Sequence, residues 1–167
     1  MEPLRIRGLT LHQPWAFLVS HGGKWIENRS WPAPSSACPG YVAIHAGKTA
    51  DEETWRDLAN AAREKLKANA MTTAMWQTIC QGAETRGAIM AVARLDRCVA
   101  PGSDDPALKS VWYSGEGYAW VLSEVKRFVE PVPAKGMQGL WPLPPDVLAA
   151  VRAAWRNGTW TERTESR

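Results

Sequence analysis

A chain of 167 residues with 45% hydrophobic content is long enough to bury the core of one domain, which we place at residues 1–160, ahead of a polar tail at residues 161–167 that we expect to fray. No apolar run approaches the ~20 residues of a membrane span, and no apolar segment follows the charged N-terminus, so we expect a soluble, cytoplasmic protein that does not bind membranes. The net charge of +3 permits nucleic acid without demanding it, and three widely spaced cysteines fit neither a disulfide framework nor a paired-cysteine metal site.

The first predicted helix begins at Pro14, because proline is favoured in a first turn, and its apolar side consists of Trp15, Leu18 and Val19. It ends at residues 22–23, two glycines that adopt a left-handed cap at little cost. A short charged strand follows within residues 24–31. Alternate positions of a regular strand share one face, which here collects Trp25, Glu27, Arg29 and Trp31. We place Lys24 in the turn that precedes this strand.

The middle of the chain predicts two strands with a helical insertion between them. An apolar strand at residues 41–45 ends in a His-Ala-Gly-Lys turn. A capping box at residues 49–52 then begins an amphipathic helix that runs to about Leu66, and a second short helix covers residues 71–80. The next strand spans residues 88–95.

The last third predicts strands at residues 118–123 and 126–129, with glycine- and proline-rich loops at residues 111–117 and 131–139. A final helix covers residues 145–155. Short strands from both halves of the chain, with helices inserted, predict an α+β architecture around a small sheet that is closed or nearly closed.

The first candidate site is the pair of Lys24 and Glu27. The lysine can hold a phosphate or polarise a carbonyl, and the carboxylate can accept a proton or a hydrogen bond from a base edge. Arg29 stands two residues further along the same strand face. A plain structural salt bridge between Glu27 and Arg29 is the alternative interpretation.

Two further groups of residues can contact a nucleotide. At the end of the strand at residues 41–45, Lys48 can reach a phosphate and His45 can titrate near neutral pH, although a histidine there is commonly structural. In the loop at residues 135–141, Lys135 can contact phosphate, Gln138 can meet a base edge, and the indole at its end can stack, unless the loop is only a tight turn. Ten tryptophans are unusual, and the two candidates for stacking on a base are Trp31 and Trp141.

These motifs, in this order, resemble the ASCH domain family, which belongs to the PUA-like superfamily. The resemblance rests on residues 9–15 and on the spacing Gly-x-Lys-x-x-Glu-x-Arg, met by Gly22, Lys24, Glu27 and Arg29. It extends through residues 41–48, 87–99, 118–122 and 131–141, and so covers the chain to about Pro144. It implies a PUA-like β-barrel with inserted and flanking helices, and a cleft between the first helix and the charged strand.

The resemblance implies a reader of single-stranded RNA or of a modified nucleotide. In that hypothesis the residues that contact phosphate are Lys24, Arg29, Lys48 and Lys135. The residues that meet base edges are Glu27 and Gln138. The residues that stack on a base are Trp31 and Trp141. A pure protein-interaction role is a further possibility, which an exposed apolar patch without a cationic cleft would favour.

The alternative is a hydrolase that needs no metal or other cofactor. Some ASCH-like proteins hydrolyse the acetyl amide of N4-acetylcytidine, but the threonine that follows their lysine by three residues is replaced here by Glu27. Glu27 can instead assist a water molecule while Lys24 stabilises the oxyanion. Others cleave RNA, for which Lys48 with Tyr41 or His45 is the candidate set. The sequence contains no Gly-x-Ser-x-Gly elbow, phosphate-binding loop or histidine–cysteine metal cluster.

Overall fold

The computed structural model describes residues 5–67 and 72–164, except for the side chains of residues 61–67 and 75. Four α-helices and seven strands lie along this part of the chain. Their bounds are β1 (Ile6–Gln13), α1 (Trp15–Ser20), β2 (Ile26–Arg29), β3 (Gly40–Ala50), α2 (Glu52–Lys67), α3 (Thr73–Glu84), β4 (Ala88–Val99), β5 (Tyr118–Pro133), β6 (Leu140–Pro142), α4 (Pro145–Arg156) and β7 (Thr159–Trp160). The predicted α+β class is confirmed.

All seven strands form one curled sheet. The strand order is β2-β5-β4-β3-β1-β6, with β7 paired to β5, and only β1 and β3 run parallel among these pairs. In a flat sheet the four intervals between β2 and β1 would separate them by about 19 Å. Yet Nη2 of Arg29 on β2 donates to the Thr10 carbonyl on β1 at 3.1 Å. The sheet therefore curls strongly. Among the described strands, however, its two end strands β2 and β6 do not pair with each other, so the sheet is not closed into the predicted barrel.

Three groups of buried side chains hold the curled sheet and its helices together. The largest lies between α1 and the sheet and includes Leu9, Phe17 and Trp120. A second lies under α4 around Trp141 and Val151, and a third lies beside β2 around residues 25–26. Burying a large apolar side chain contributes about 1.5–3 kcal/mol, so these groups are the main stabilising term of the fold.

Several predicted elements differ in extent from the structure. The strand predicted within residues 24–31 is limited to β2, and Trp25, just before its start, packs in the third group. The two predicted strands at residues 118–129 are one strand that continues to Pro133, with an irregular position at Glu124, whose φ is 46°. The predicted capping box at residues 49–52 is wrong, because Thr49 lies in β3 and does not cap α2. The cap is Asp51, whose side chain accepts from the Thr54 N–H at 3.0 Å.

The C-terminal tail also differs from the expectation. Residues 161–164 do not fray but return to the sheet, where the Thr161 N–H donates to the Val125 carbonyl at 2.8 Å and the Thr164 N–H to the Gly23 carbonyl at 3.1 Å. The remaining three residues of the predicted tail lie outside the described part of the chain. Within that described part, none of the helices has the length and apolarity required to cross a membrane.

Candidate functional site

The end of α1 fixes the position of Lys24. The Leu18 carbonyl accepts the N–H groups of both Gly22 and Lys24, each at 3.0 Å. Gly23 between them has a φ of 73°, a conformation that glycine adopts without the steric cost of a β-carbon. Lys24 thus lies in the turn before β2, as the sequence predicts. Its side chain extends toward Ile26, the first residue of β2.

Lys24, Glu27 and Arg29 form a partly buried ionic chain. The ammonium of Lys24, whose residue is only 2% exposed, donates to the Ile26 carbonyl and lies 3.2 Å from Oε2 of Glu27. Oε1 of Glu27 lies 3.3 Å from Nε of Arg29. Burial lowers the pKa of Lys24, and the negative charge of Glu27 opposes that shift. The carboxylate is therefore held between two cations, and its position is defined from both sides.

Trp15 covers the ionic chain of Lys24, Glu27 and Arg29 from the side of α1. The Lys24 ammonium lies 5.2 Å from the centroid of the Trp15 ring, within the range of a cation–π interaction. The indole N–H of Trp15 donates to Oδ2 of Asp51 at 3.2 Å. Hydrogen bonds from Thr54 are the main reason why the pKa of Asp51 is lowered, so this carboxylate remains ionised as it caps α2 and orients the indole.

A cleft of about 910 Å³ opens above these residues, a volume within the usual range for small-molecule sites. Its aromatic walls are Trp15, Trp31, Trp112 and Tyr113. The charged side chains that line it, among the described residues, are Lys24, Glu27, Arg29 and Asp51. Their formal charges cancel. The arrangement can therefore hold a flat, polar and nearly neutral group better than an extended polyanion.

The amide of Asn28 positions the wall opposite α1. Its Nδ2 donates to the Trp112 carbonyl at 2.9 Å, and its Oδ1 accepts from the Ser114 N–H at 3.0 Å. Both groups belong to the loop before β5, so one side chain of β2 fixes the loop that carries Trp112 and Tyr113. The sequence predicts a loop at residues 111–117 but assigns Trp112 and Tyr113 no role in a site. An amide placed inside the charged strand was the available signal.

Five of the predicted site residues line the cleft together. These are Lys24, Glu27, Arg29, Trp31 and Gln138. Trp31 is partly exposed, and its ring meets that of the buried Trp120 edge-on, with centroids 4.8 Å apart. The residues that the prediction missed are Trp15, Asn28, Asp51, Trp112 and Tyr113. They come from α1, β2, the start of α2 and the loop before β5, which only the folded chain brings together.

His45 and Trp141 lie in the core, outside the cleft lining. Each is 2% exposed, and their rings meet edge-on with centroids 5.7 Å apart. Nε2 of His45 donates to the Ala134 carbonyl at 2.9 Å, and burial lowers the pKa of the ring, which keeps it neutral. Nε1 of Trp141 donates to Oγ1 of Thr10 at 3.2 Å. In this arrangement Trp141 supports β1 and offers no open face to a base.

The residues considered for RNA cleavage are not assembled. Tyr41 and Lys48 are seven positions apart on β3, which corresponds to about 23 Å along the strand. The Tyr41 hydroxyl donates to Oε2 of Glu124 at 3.1 Å, and burial is the main reason why its pKa is raised. Lys48 and Lys135 are exposed and are not among the residues that line the cleft.

One of three comparisons with known proteins supports this architecture. No family model and no curated protein matches the sequence. A crystal structure of an ASCH protein from Zymomonas mobilis superposes with a TM-score of 0.50 and 11% sequence identity, over 96% of this chain and 99% of that one. At that identity the likeness concerns the fold and carries no activity with it. The prediction made from the motif spacing is confirmed at this level: the chain has the fold of the ASCH domain.

Proposed function

We propose that this protein binds a nucleobase, presented by a modified nucleotide or by a short single-stranded segment of RNA, in the cleft above Lys24. The observation that carries the proposal is the Glu27 carboxylate, held between Lys24 and Arg29 at the foot of a cleft with four aromatic walls. Such a combination offers a planar group both stacking surfaces and a defined hydrogen-bonding edge.

Glu27 is the residue that we assign to the base edge. An ionised carboxylate accepts about four hydrogen bonds in total, and the contacts with Lys24 and Arg29 occupy only part of that capacity. A ring or exocyclic N–H of a base can therefore donate to it. Arg29, whose side chain is 22% exposed, is the donor for a neighbouring carbonyl or phosphate oxygen, and Trp31 is the partly exposed ring for stacking.

The balance of charges favours one nucleotide over a long strand. Lysine and arginine neutralise the phosphates of a strand, and among the described residues that line the cleft Arg29 is the one partly exposed cation, since Lys24 is 2% exposed. Lys135 is exposed three residues before Gln138, which lines the cleft, so we assign any further phosphate contact to it. Lys48 is the second candidate for such a contact. We expect binding with a shallow dependence on salt.

A second candidate function is hydrolysis of an amide on the bound base. The observation that favours it is the buried Lys24, whose lowered pKa makes its N–H groups good donors, 3.2 Å from a carboxylate. In this scheme Glu27 takes a proton from water as the water oxygen attacks the amide carbonyl, and Lys24 donates to the developing oxyanion. The amine then leaves with the proton that Glu27 returns.

The proposal is tested by calorimetric titration of the protein with cytidine 5′-monophosphate, N4-acetylcytidine and a single-stranded RNA decamer. Loss of a stacking partner costs about 1–3 kcal/mol, so Trp31→Leu should weaken binding roughly 5- to 150-fold. Glu27→Gln should also weaken it. The matched control is Trp160→Leu, because Trp160 is 58% exposed on β7, away from the cleft. Absence of saturable binding by the wild type to all three probes would refute the proposal, and chromatography of the N4-acetylcytidine sample tests hydrolysis.

A further inference from the structure

The segment at residues 161–164, which we call the C-terminal strap, returns to the corner that positions Lys24. Oγ1 of Thr161 donates to the Ser20 carbonyl at 2.5 Å, at the end of α1. The guanidinium of Arg163 lies 4.5 Å from the centroid of the Trp25 ring, and its Nη2 donates to the Leu122 carbonyl at 3.1 Å. The strap is thus attached on both sides of the turn that leads into β2.

Thr164 joins this corner to the wall of the cleft. Its N–H donates to the Gly23 carbonyl at 3.1 Å, and its Oγ1 donates to the Gly22 carbonyl at 2.7 Å. Its own carbonyl accepts from the indole N–H of Trp112 at 2.8 Å. Thr164 itself does not line the cleft. It nevertheless connects the turn that carries Lys24 with the indole on the opposite wall.

The approach of the strap depends on the glycine at position 23. A β-carbon there would lie 2.5 Å from the Glu162 carbonyl oxygen and 2.6 Å from the Thr164 nitrogen. Both of these are backbone atoms that cannot swing aside as a long side chain can. Gly23 therefore has two roles, because it gives the turn its positive φ and leaves space for the strap.

We propose that Thr164 is a positioning residue, which sets the distance between the Trp112 wall and the Lys24 corner and so determines how tightly the cleft holds its ligand. This inference rests on the proposed function for its ligand. The loop that carries Trp112 is held on one side by Asn28 and on the other by Thr164. Loss of either contact leaves the loop held at a single side, so a ligand must order the loop and its indole on binding.

The test compares Thr164→Val with Thr164→Ser in the full chain. Valine keeps the size but removes the hydroxyl donor to Gly22, whereas serine retains it. We expect Thr164→Val to speed exchange of the Trp112 indole hydrogen about 3- to 10-fold and to weaken binding of cytidine 5′-monophosphate or N4-acetylcytidine by a similar factor, since one hydrogen bond is worth roughly that ratio. Thr164→Ser should restore both. The control is Thr78→Val, which removes an exposed hydroxyl contact on α3.

The two readouts separate this inference from the proposed function. If the wild type binds neither probe, the nucleotide proposal fails, and indole exchange alone decides on Thr164. If Thr164→Val exchanges its Trp112 indole hydrogen at the wild-type rate, the Thr164 side chain does not position that wall and the inference is overturned. Faster exchange with unchanged affinity for a probe that the wild type does bind would overturn it equally, because the contact would then be structural only.

Discussion

Lys24 and Glu27 form a buried ion pair, with 3.2 Å between Nζ and Oε2. Neither member is easily replaced alone, because removing one partner of such a pair leaves the other charge desolvated and uncompensated. The pair is also asymmetric. Glu27 has a second cation in Arg29, whereas the only carboxylate within salt-bridge distance of Lys24 in the described chain is Glu27. This asymmetry decides how the two residues respond to substitution.

We expect Glu27→Gln to destabilise the fold more than Lys24→Met. The first change leaves two cations facing a neutral amide, at a cost of about 3–5 kcal/mol for breaking a buried pair. The second leaves Glu27 still paired with Arg29. Urea denaturation measures the difference. The control is Arg94→Met, because both members of the Arg94–Glu124 pair are exposed and the pair should contribute less than about 1 kcal/mol. Equal losses for Lys24→Met and Glu27→Gln would contradict the asymmetry.

The cap of α2 gives a second prediction. The sequence suggests Thr49 as the capping residue, whereas in the structure Asp51 caps the helix. Asp51→Ala removes both the N-cap and the partner of the Trp15 indole, so it should lower the free energy of unfolding by about 0.5–2 kcal/mol. Thr49→Ala should have little effect, because Thr49 is exposed at the end of β3. Thermal unfolding of the two variants distinguishes the caps. A larger loss for Thr49→Ala would contradict the structural assignment.

The sequence predicts the elements of this fold better than their ends. Helical periodicity locates α1, α2, α3 and α4. Continuous apolar runs locate β3 and β4, which bury consecutive residues and therefore both faces. The prediction divides β5 after Ser123 and ends it before Pro131, whereas pairing with β4 carries the strand past both positions. Residues 161–164 are polar and look frayed, yet their contacts are mostly with backbone carbonyls, which leave no trace in side-chain patterns.

The site residues also divide into those that the sequence locates and those that it does not. Lys24, Glu27 and Arg29 can be found from their spacing because they lie within one short strand and the turn before it. Trp112 and Asp51 cannot, since each reaches the cleft only through the curl of the sheet and the path of α2. Trp141 is misjudged for a related reason. A tryptophan beside a glycine-rich loop looks accessible, but a β-carbon on Gly8 would lie 2.2 Å from its ring, which shows that β1 leaves space for it in the core.

The Asn28 amide provides a third prediction. Asn28→Ala removes both hydrogen bonds to the loop at residues 112–114, and we expect the Ser114 amide to exchange faster by roughly 5- to 30-fold, as for one or two lost hydrogen bonds. Asn28→Asp keeps the acceptor for Ser114 and loses the donor to Trp112, so its effect should be smaller. The control is Gln81→Ala, an exposed amide on α3. Unchanged exchange in Asn28→Ala would show that the loop is held by its own turn.

The pH dependence of stability should reveal His21 at the end of α1. Burial, reinforced by Arg127, lowers the pKa of this ring from 6.5 to about 4, and the ring stacks on Phe17 with centroids 4.8 Å apart. Between those two pH values the unfolded chain binds a proton that the folded chain does not. The contribution of the neutral ring is therefore complete above pH 6.5 and is lost as the pH falls through about 4.

Substitution of His21 should remove that part of the pH dependence. We expect the urea midpoint of His21→Gln to change less between pH 7 and pH 4 than that of the wild type, even if the variant is less stable at pH 7. His12→Gln is the matched control, because His12 is an exposed histidine on β1. If both variants follow the wild-type profile, the loss of stability between pH 7 and pH 4 comes from groups other than His21. Asp105 acts only below that range, because its hydrogen bond with Arg97 lowers its pKa to about 2.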